Sequence, residues 1–411
     1  MSKGETREIA HRVYSEIESN FDDEIKCLQQ LIQIPTINPP GEYEQITSFL
    51  KSYAKSRGLE PTILETPTEI CRKHGIISDE RRLNMKITAG NVGIKPVILL
   101  LAHLDTVPIE DISAWKHNAF SGELVDNRIY GRGACDCKGR IAAYLFAQLA
   151  LARTLSDSMP RVIVAATVDE EIGGRTGAAY LLEKGDLNCD YCIGEGYTWE
   201  VFNGFKGLLW VRISVKGKSA HGATPHLGAS AAKPLENLFK ELRKYQSRLN
   251  TIRQAADTTM NIGLVSAGTK INMVPENAAV EIDLRTAETY PMENVIEELS
   301  AIVGRLQKSC PDLTFKMDIL NKVDPIALTE KHPLVTAVHS SVSEVTGVEI
   351  PVKLWFAHSD TLHFLRKGIP AVNYGVGRAG IAHTTDENIE LNDLRISTKA
   401  IALSIIKLAM G

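Results

Sequence analysis

The stretch VILLLAHLD, residues 97–105, joins six apolar residues to a histidine and an aspartate at its end. A continuous apolar run between polar turns is typical of a strand that is buried on both faces, as in a parallel sheet. His103 and Asp105 follow this run directly. The sequence therefore predicts that both side chains lie at the carboxyl end of a buried strand.

Three further apolar runs repeat this arrangement, since each is followed closely by acidic residues or a histidine. They are VIVAAT (162–167) before Asp169, Glu170 and Glu171, YCI (191–193) before Glu195, and IPAVNY (369–374) before a glycine-rich loop and His383. Helical stretches lie between the runs, and strands that alternate with helices predict an α/β sandwich. Ligands of open parallel sheets bind beyond the carboxyl ends of the strands. We therefore expect these side chains to meet at one edge of the sheet.

The middle of the chain has a different pattern. Residues 209–216 alternate between apolar and polar side chains, which predicts a strand with one solvent-facing side. The elements that follow have the order β-α-β-β-α-β, a ferredoxin-like arrangement of an antiparallel sheet with helices on one face. We predict that residues 206–320 form this α+β domain as an insert, and that residues 1–205 and 321–411 form one discontinuous catalytic domain.

Asp136 lies in the segment GRGACDCKGR, residues 131–140, just before an apolar helical stretch. The glycines permit a tight backbone, and a carboxylate near a helix N-terminus is favoured by the helix dipole. Taken alone, this segment is typical of an ordinary helix N-terminus. We interpret Cys135 and Cys137 as packing residues, because in regular structure neither would face the point that Asp136 faces.

The histidines and carboxylates at these strand ends predict a site for two metal ions. Imidazole and carboxylate suit zinc, although cobalt and manganese accept the same ligands, and a carboxylate can bridge two ions. Two divalent ions carry four positive charges, which Asp136, Glu171, Glu195 and one hydroxide would balance. His103 and His383 would complete the site as neutral ligands.

Two acidic residues beside these ligands are left for other roles. Glu170 is predicted to be the general base and acid, which takes a proton from water and gives one to the leaving amine. Asp105 is predicted to accept the second ring N–H of His103, which would fix the tautomer of the ring.

Seven motifs follow one another between residues 103 and 387: HLDTVP, GRGACDCKG, TVDEEIGG, IGEG, KSAHGATP, NMVPENAAVEIDLR and AHTTDE. In this order they resemble the blocks of one metallohydrolase family, which contains acetylornithine deacetylase, succinyl-diaminopimelate desuccinylase, aminoacylase and glutamate carboxypeptidase. The resemblance implies a zinc-peptidase-like α/β sandwich with two zinc ions, in which the inserted domain is a lid and dimerisation domain of a homodimer.

The resemblance also implies roles for individual residues. One metal ion would be held by His103, Asp136 and Glu195, and the other by Asp136, Glu171 and His383. His221 would cross the dimer interface and help to hold the oxyanion in the partner's site, and Asn272 and Arg285 would bind the carboxylate end of the substrate.

Local sequence offers simpler alternatives for the three residues of the insert. His221 suits a solvated loop, Asn272 a turn before Pro275, and Arg285 an ion-pair ladder with Glu281 and Asp283.

Two segments depart from the family pattern, and one of them is the family's Gly-Glu-Pro block, which is Gly194-Glu195-Gly196 here. Residues 357–362 read AHSDTL, where the family often has Gly-Gly-Thr/Ser-Asp-Ala-Arg. His358 thus replaces a glycine, and Leu362 stands where an arginine is common. His358 is a candidate substrate contact, with packing or solvation as the alternative. The exact substrate of any one relative therefore does not transfer.

Composition excludes several other classes of function. The chain has 46 Lys and Arg against 50 Asp and Glu, a net charge of −4, so no basic excess attracts nucleic acid or anionic membrane. The N-terminal segment is polar, without the apolar core of a signal peptide, which predicts a cytoplasmic protein.

We predict a deacylase that cleaves the amide bond of an N-acyl amino acid or related small molecule. A dipeptidase or carboxypeptidase, an ammonia-releasing aminohydrolase and an inactive binding subunit remain the alternatives.

Overall fold

The computed structural model describes residues 3–255, 257–357 and 359–410. Within them the helices are α1 (Lys3–Ser19), α2 (Phe21–Gln33), α3 (Glu44–Ser56), α4 (Thr68–Lys73), α5 (Gly139–Leu155), α6 (Ala178–Lys184), α7 (Leu235–Leu249), α8 (Met292–Ser309), α9 (Pro333–Thr346), α10 (Thr361–Arg366) and α11 (Leu391–Met410). The strands of the same described residues are β1 (Glu60–Thr66), β2 (Arg82–Ala89), β3 (Ile98–His103), β4 (Glu123–Val125), β5 (Arg128–Tyr130), β6 (Val162–Thr167), β7 (Tyr191–Gly194), β8 (Val201–Phe205), β9 (Gly207–Lys216), β10 (Thr259–Ala267), β11 (Asn277–Thr286), β12 (Thr314–Val323), β13 (Ile326–Ala327), β14 (Val352–Trp355), β15 (Ala371–Asn373) and β16 (Asn388–Glu390). None of these helices is both long enough and apolar enough to cross a membrane.

The chain divides into two compact units, Met1–Gly204 with Leu328–Gly411, and Phe205–Ala327. We call them unit 1 and unit 2. The predicted insert, residues 206–320, lies within unit 2. The unit extends beyond residue 320 because β12 continues to Val323.

The apolar runs predict a parallel sheet, and in unit 1 they form the parallel strands of a mixed sheet. Its strands lie in the order β1-β2-β6-β3-β7-β15-β8, and β14 also pairs with β8. Strands β6, β3, β7 and β15 are parallel, whereas β1, β2 and β8 pair in antiparallel fashion. Every residue of β3 and β6 is buried, as expected for strands covered on both faces.

Helix α5 is the central helix of unit 1. Its residues from Gly139 to Leu151 are all buried, and it packs against β3 and β6 as well as α1, α2 and α11. The segment is apolar almost all the way round, which is typical of a helix enclosed by other elements. This packing fixes the preceding loop, which carries Asp136, beside the end of β3.

Unit 2 has the predicted β-α-β-β-α-β order, with an antiparallel sheet β10-β11-β9-β12. Val211, Ile213 and Val215 of β9 are buried and join the core formed with α7 and α8, while Arg212 is exposed. Helix α7 begins at Leu235, directly after Pro234 at its N-terminus. The fold is thus an α/β catalytic unit with an inserted ferredoxin-like α+β unit.

Candidate metal centre

The ends of three adjacent strands bring the predicted ligands of unit 1 together. In the ladder, His103 is level with Thr167 and Leu101 with Gly194, so β3, β6 and β7 end at the same edge. The acidic residues after β6 and β7 therefore begin at the level of His103. Predicting this edge required only the four apolar runs and the rule that parallel strands share their carboxyl ends.

His103 is the centre of a first group of ligand atoms. Its Nε2 lies 3.0 Å from Asp136 Oδ1 and 3.1 Å from Glu195 Oε2, and its side chain is only 1% exposed. Cys137 Sγ joins this group, in which all ligand atoms lie within 4.8 Å of one another. We call these four residues the first cluster.

The backbone around Asp136 explains why Cys137 is part of the first cluster. Asp136 has φ −132° and ψ 89°, which interrupts the helical conformation of Ala134–Lys138. The interpretation of Cys137 as a packing residue assumed regular structure, whereas the irregular backbone brings the Sγ of the buried Cys137 to the first cluster. Cys135 does pack elsewhere, since its Sγ lies against Gly377 and is 4.0 Å from the carbonyl oxygen of Arg378.

A second cluster shares Asp136 with the first. It consists of Asp136, Glu171 and His383, whose ligand atoms also lie within 4.8 Å of one another. His383 Nε2 lies 3.4 Å from Asp136 Oδ2 and 3.1 Å from Glu171 Oε2. The two oxygens of Asp136 therefore face the two histidines, as a bridging carboxylate requires.

Glu170 lies beside the two clusters without belonging to either. Its Oε2 is 3.9 Å from His103 Nε2. Burial, and then the nearby charge of Glu195, raise the pKa of Glu170 well above its usual range. A carboxyl that readily takes up a proton suits the predicted general base.

Asp105 acts differently from the prediction. The ring Nδ1 of His103 lies 2.9 Å from the main-chain oxygen of Asp105, whereas the carboxylate Oδ1 is 3.6 Å away. The carboxylate instead accepts the backbone N–H groups of Glu170 and Glu171, each at 3.2 Å. Asp105 therefore orients His103 through its main-chain carbonyl group, and it orients the loop that carries Glu170 and Glu171 through its side chain.

The donor set fits two divalent cations. Hydrogen bonds with Asp136 and Glu171 raise the pKa of His383 to about 10. Although burial opposes it, nearby Cys137 and Glu195 raise the pKa of His103 well above its usual range. The carboxylates thus favour positive charge beside both histidines. A divalent cation supplies that charge, and each histidine then binds the cation as a neutral ligand.

Three residues near the clusters were not found from the sequence. Arg140 Nη1 donates to Asp136 Oδ1 at 2.9 Å, and the spacing of four residues at the start of a helix was the available signal. Glu387, the last residue of the AHTTDE motif, accepts the N–H of Asp136 at 2.9 Å and pairs with Arg132 at 2.7 Å. Asp360 accepts a hydrogen bond from Thr167 at 3.0 Å.

Asp360 occupies the aspartate position of the segment 357–362, so the family resemblance carried its signal. It is buried, and burial followed by the charge of Glu195 raises its pKa well above the usual range. The candidate His358 lies outside the described residues.

The three remaining candidates lie in unit 2. His221 is exposed and its Nδ1 accepts the N–H of Ala223 at 3.1 Å. Asn272 is exposed on the neighbouring loop, where its main-chain carbonyl oxygen accepts a hydrogen bond from the N–H of Gly222 at 2.8 Å. Arg285 Nε lies 3.0 Å from Asp283 Oδ1, as in the ion-pair alternative.

Comparisons with known proteins agree with this centre. The model of peptidase family M20/M25/M40 matches residues 99–407. Succinyl-diaminopimelate desuccinylase of Methylorubrum populi is 30% identical over 332 residues, which cover 76% of this chain and 81% of that protein. An uncharacterised metallohydrolase of Methanocaldococcus jannaschii is 27% identical over 409 residues, which cover 91% of this chain and 96% of that protein.

Solved structures share the fold. A tripeptidase from Staphylococcus aureus has a TM-score of 0.72 at 21% identity, covering 95% of this chain and 98% of that chain. A dinuclear metal binding peptidase of the M20 family from Bacillus subtilis has a TM-score of 0.68 at 16% identity, covering 95% of this chain and 99% of that chain.

Proposed function

The chain belongs to peptidase family M20/M25/M40 and is a metal-dependent amidohydrolase, and within this activity we propose that it removes the acyl group from an N-acyl amino acid. The observation that carries the proposal is Asp136, whose two carboxylate oxygens face the histidines of two ligand clusters. The similarity to succinyl-diaminopimelate desuccinylases, which extends over most of the chain, supports an acyl amino acid over a peptide.

We propose zinc as the metal, with the first and second clusters each holding one ion. When bound, such ions polarise the amide carbonyl and lower the pKa of water. Mixed histidine and carboxylate ligands favour zinc, although cobalt and manganese accept the same set.

Glu170 moves the protons of the reaction. Its carboxylate takes a proton from the water that attacks the carbonyl carbon, and returns it to the nitrogen as the C–N bond breaks. The hydrogen bond from the backbone N–H of Glu170 to the carboxylate of Asp105 keeps this loop in place during both proton transfers.

The roles of the insert are also part of the proposal. His221 would help to bind the oxyanion in the partner's site of a homodimer, and Asn272, Arg285 and His358 would contact the substrate. The exposed ring of His221 is available to a second chain. A cytoplasmic location stays a prediction of the sequence.

A substrate panel tests the proposal directly. N-acetyl and N-succinyl amino acids, free dipeptides and amide or amidine compounds are incubated with enzyme loaded with zinc, cobalt or manganese. Release of free amino acid from the acylated compounds alone supports the deacylase. Preferential cleavage of dipeptides would favour the peptidase alternative, and ammonia release would favour the aminohydrolase. Bound metal without hydrolysis of any amide would indicate an inactive binding subunit.

A further inference from the structure

The first cluster contains the sulfur atom of Cys137, whereas the nearby Cys135 is not part of it. Cys137 is fully buried, and its Sγ lies within 4.8 Å of ligand atoms of His103, Asp136 and Glu195. Cys135 is equally buried, yet its sulfur contacts Gly377 on another side of the loop. The second cluster has only nitrogen and oxygen ligands. The two clusters therefore differ in chemistry.

Arg140 lies against two carboxylates of the first cluster. Its Nη1 lies 2.9 Å from Asp136 Oδ1 and 3.7 Å from Glu195 Oε2, and the side chain is only 1% exposed. A guanidinium group stays charged when it is buried, so it places a fixed positive charge against two carboxylates of the first cluster.

We propose that Cys137 is a thiolate ligand of the metal ion held by His103, Asp136 and Glu195. The proposal rests on the two-metal site of the proposed function. It makes the first cluster a mixed nitrogen, oxygen and sulfur site, which prefers zinc or cadmium, and leaves the second cluster open to harder ions such as manganese.

Cobalt substitution tests the sulfur contact independently of activity. Cobalt bound to a thiolate shows a sulfur-to-metal charge-transfer band in the near ultraviolet, which histidine and carboxylate ligands do not produce. The metal-free enzyme is titrated with cobalt and the number of bound ions is measured. We expect the band in the wild type and in Cys135→Ser, and its loss in Cys137→Ser. A band that persists in Cys137→Ser, or its absence from a wild type holding two cobalt ions, would overturn the proposal.

The wild-type protein alone gives a second test in case Cys137→Ser does not fold. X-ray absorption at the zinc edge should show a sulfur scatterer at about 2.3 Å, the usual length of a zinc–thiolate bond. Only nitrogen and oxygen scatterers would rule out the ligand. A wild type that binds two ions and hydrolyses amides without a sulfur contact would refute this proposal while leaving the proposed function intact, whereas failure to bind metal would refute both.

Discussion

The carboxylate of Asp105 accepts the backbone N–H of Glu170, with 3.2 Å between Oδ1 and the nitrogen. The general base is thus held by its main chain, which leaves its side chain free to accept and donate a proton. The other oxygen of Asp105 accepts from Glu171 N–H at 3.2 Å and from Asn38 Nδ2 at 3.0 Å. One aspartate therefore positions both a predicted ligand and the predicted base.

Replacing Asp105 by asparagine should lower turnover without removing the metals. The amide keeps one acceptor, so it leaves either the loop N–H groups or Asn38 with a poor partner. A displacement of about 1 Å at the reacting groups can cost about 10²-fold in rate. We expect a fall of that order in kcat with KM and metal content nearly unchanged. The exposed Asp111→Asn serves as control. A variant with wild-type kcat would show that this contact does not position Glu170.

Substitutions of the adjacent Glu170 and Glu171 should distinguish a loss of catalysis from a loss of bound metal. Glu170→Gln should lower kcat by at least about 10²-fold, because a positioned acid–base group contributes about 10²- to 10⁴-fold. Metal analysis of that variant should still find two ions, because Glu170 lies outside both clusters. Glu171→Gln should instead lose metal, because it removes a carboxylate from the second cluster. Equal loss of metal in both variants would contradict the assignment of Glu170 as the base.

The strands and ligands of unit 1 were predictable because their signals are local. The buried runs of β3 and β6 and the polar residues after them need no knowledge of distant sequence. Strands β1 and β2 were missed because they lack such runs. The contact of Glu387 with the N–H of Asp136 joins residues 251 positions apart, which no spacing rule could indicate. The position of the Cys137 sulfur in the first cluster was not predicted, because it depends on a non-helical backbone at Asp136.

Removing the metals should weaken the fold of unit 1 as well as abolish activity. The carboxylates of both clusters converge, so their mutual repulsion is relieved when cations bind. Binding of one ion at 100 times its Kd adds about 2.7 kcal/mol of stability. A chelator should therefore lower the Tm, and zinc, cobalt or manganese should restore it to different extents. An unchanged Tm, together with activity retained after measured loss of metal, would contradict the metal centre.

His221 should act on the partner's site if the homodimer is correct. His221→Ala should reduce kcat strongly while metal content stays the same. A heterodimer of this variant with Glu170→Gln contains one site with an intact base and an intact His221, contributed by different chains. Two affinity tags allow its purification, and we expect about half of the wild-type activity because one of two sites is complete. Heterodimers as inactive as the parents would show that His221 acts within its own chain, and a His221→Ala parent with wild-type kcat would show that His221 takes no part in turnover.

Because of Glu24, the free energy of unfolding should fall as the pH rises from weakly acidic to weakly alkaline values. It is fully buried in α2, its Oε1 accepts a hydrogen bond from Thr398 at 2.5 Å, and its Oε2 has no partner among the described residues. Burial raises the pKa of Glu24 from 4.5 to about 8, outweighing the opposing Thr398 hydrogen bond. The folded state thus holds a proton that the unfolded chain has lost. Its contribution to stability is fully present below pH 4.5 and is lost as the pH rises to about 8, with a total on the order of 5 kcal/mol.

Glu24→Gln keeps the shape and the acceptor for Thr398 but removes the titration. Histidines also titrate in this pH range, so the informative quantity is the difference in the free energy of unfolding between variant and wild type at each pH. This difference should be small near pH 4.5 and should grow in favour of the glutamine variant up to about pH 8. The exposed Asp22→Asn in the same helix should show no such growth. A constant difference across this range would mean that Glu24 does not take up a proton on folding, and that its buried carboxylate is stabilised in the charged form by Arg395.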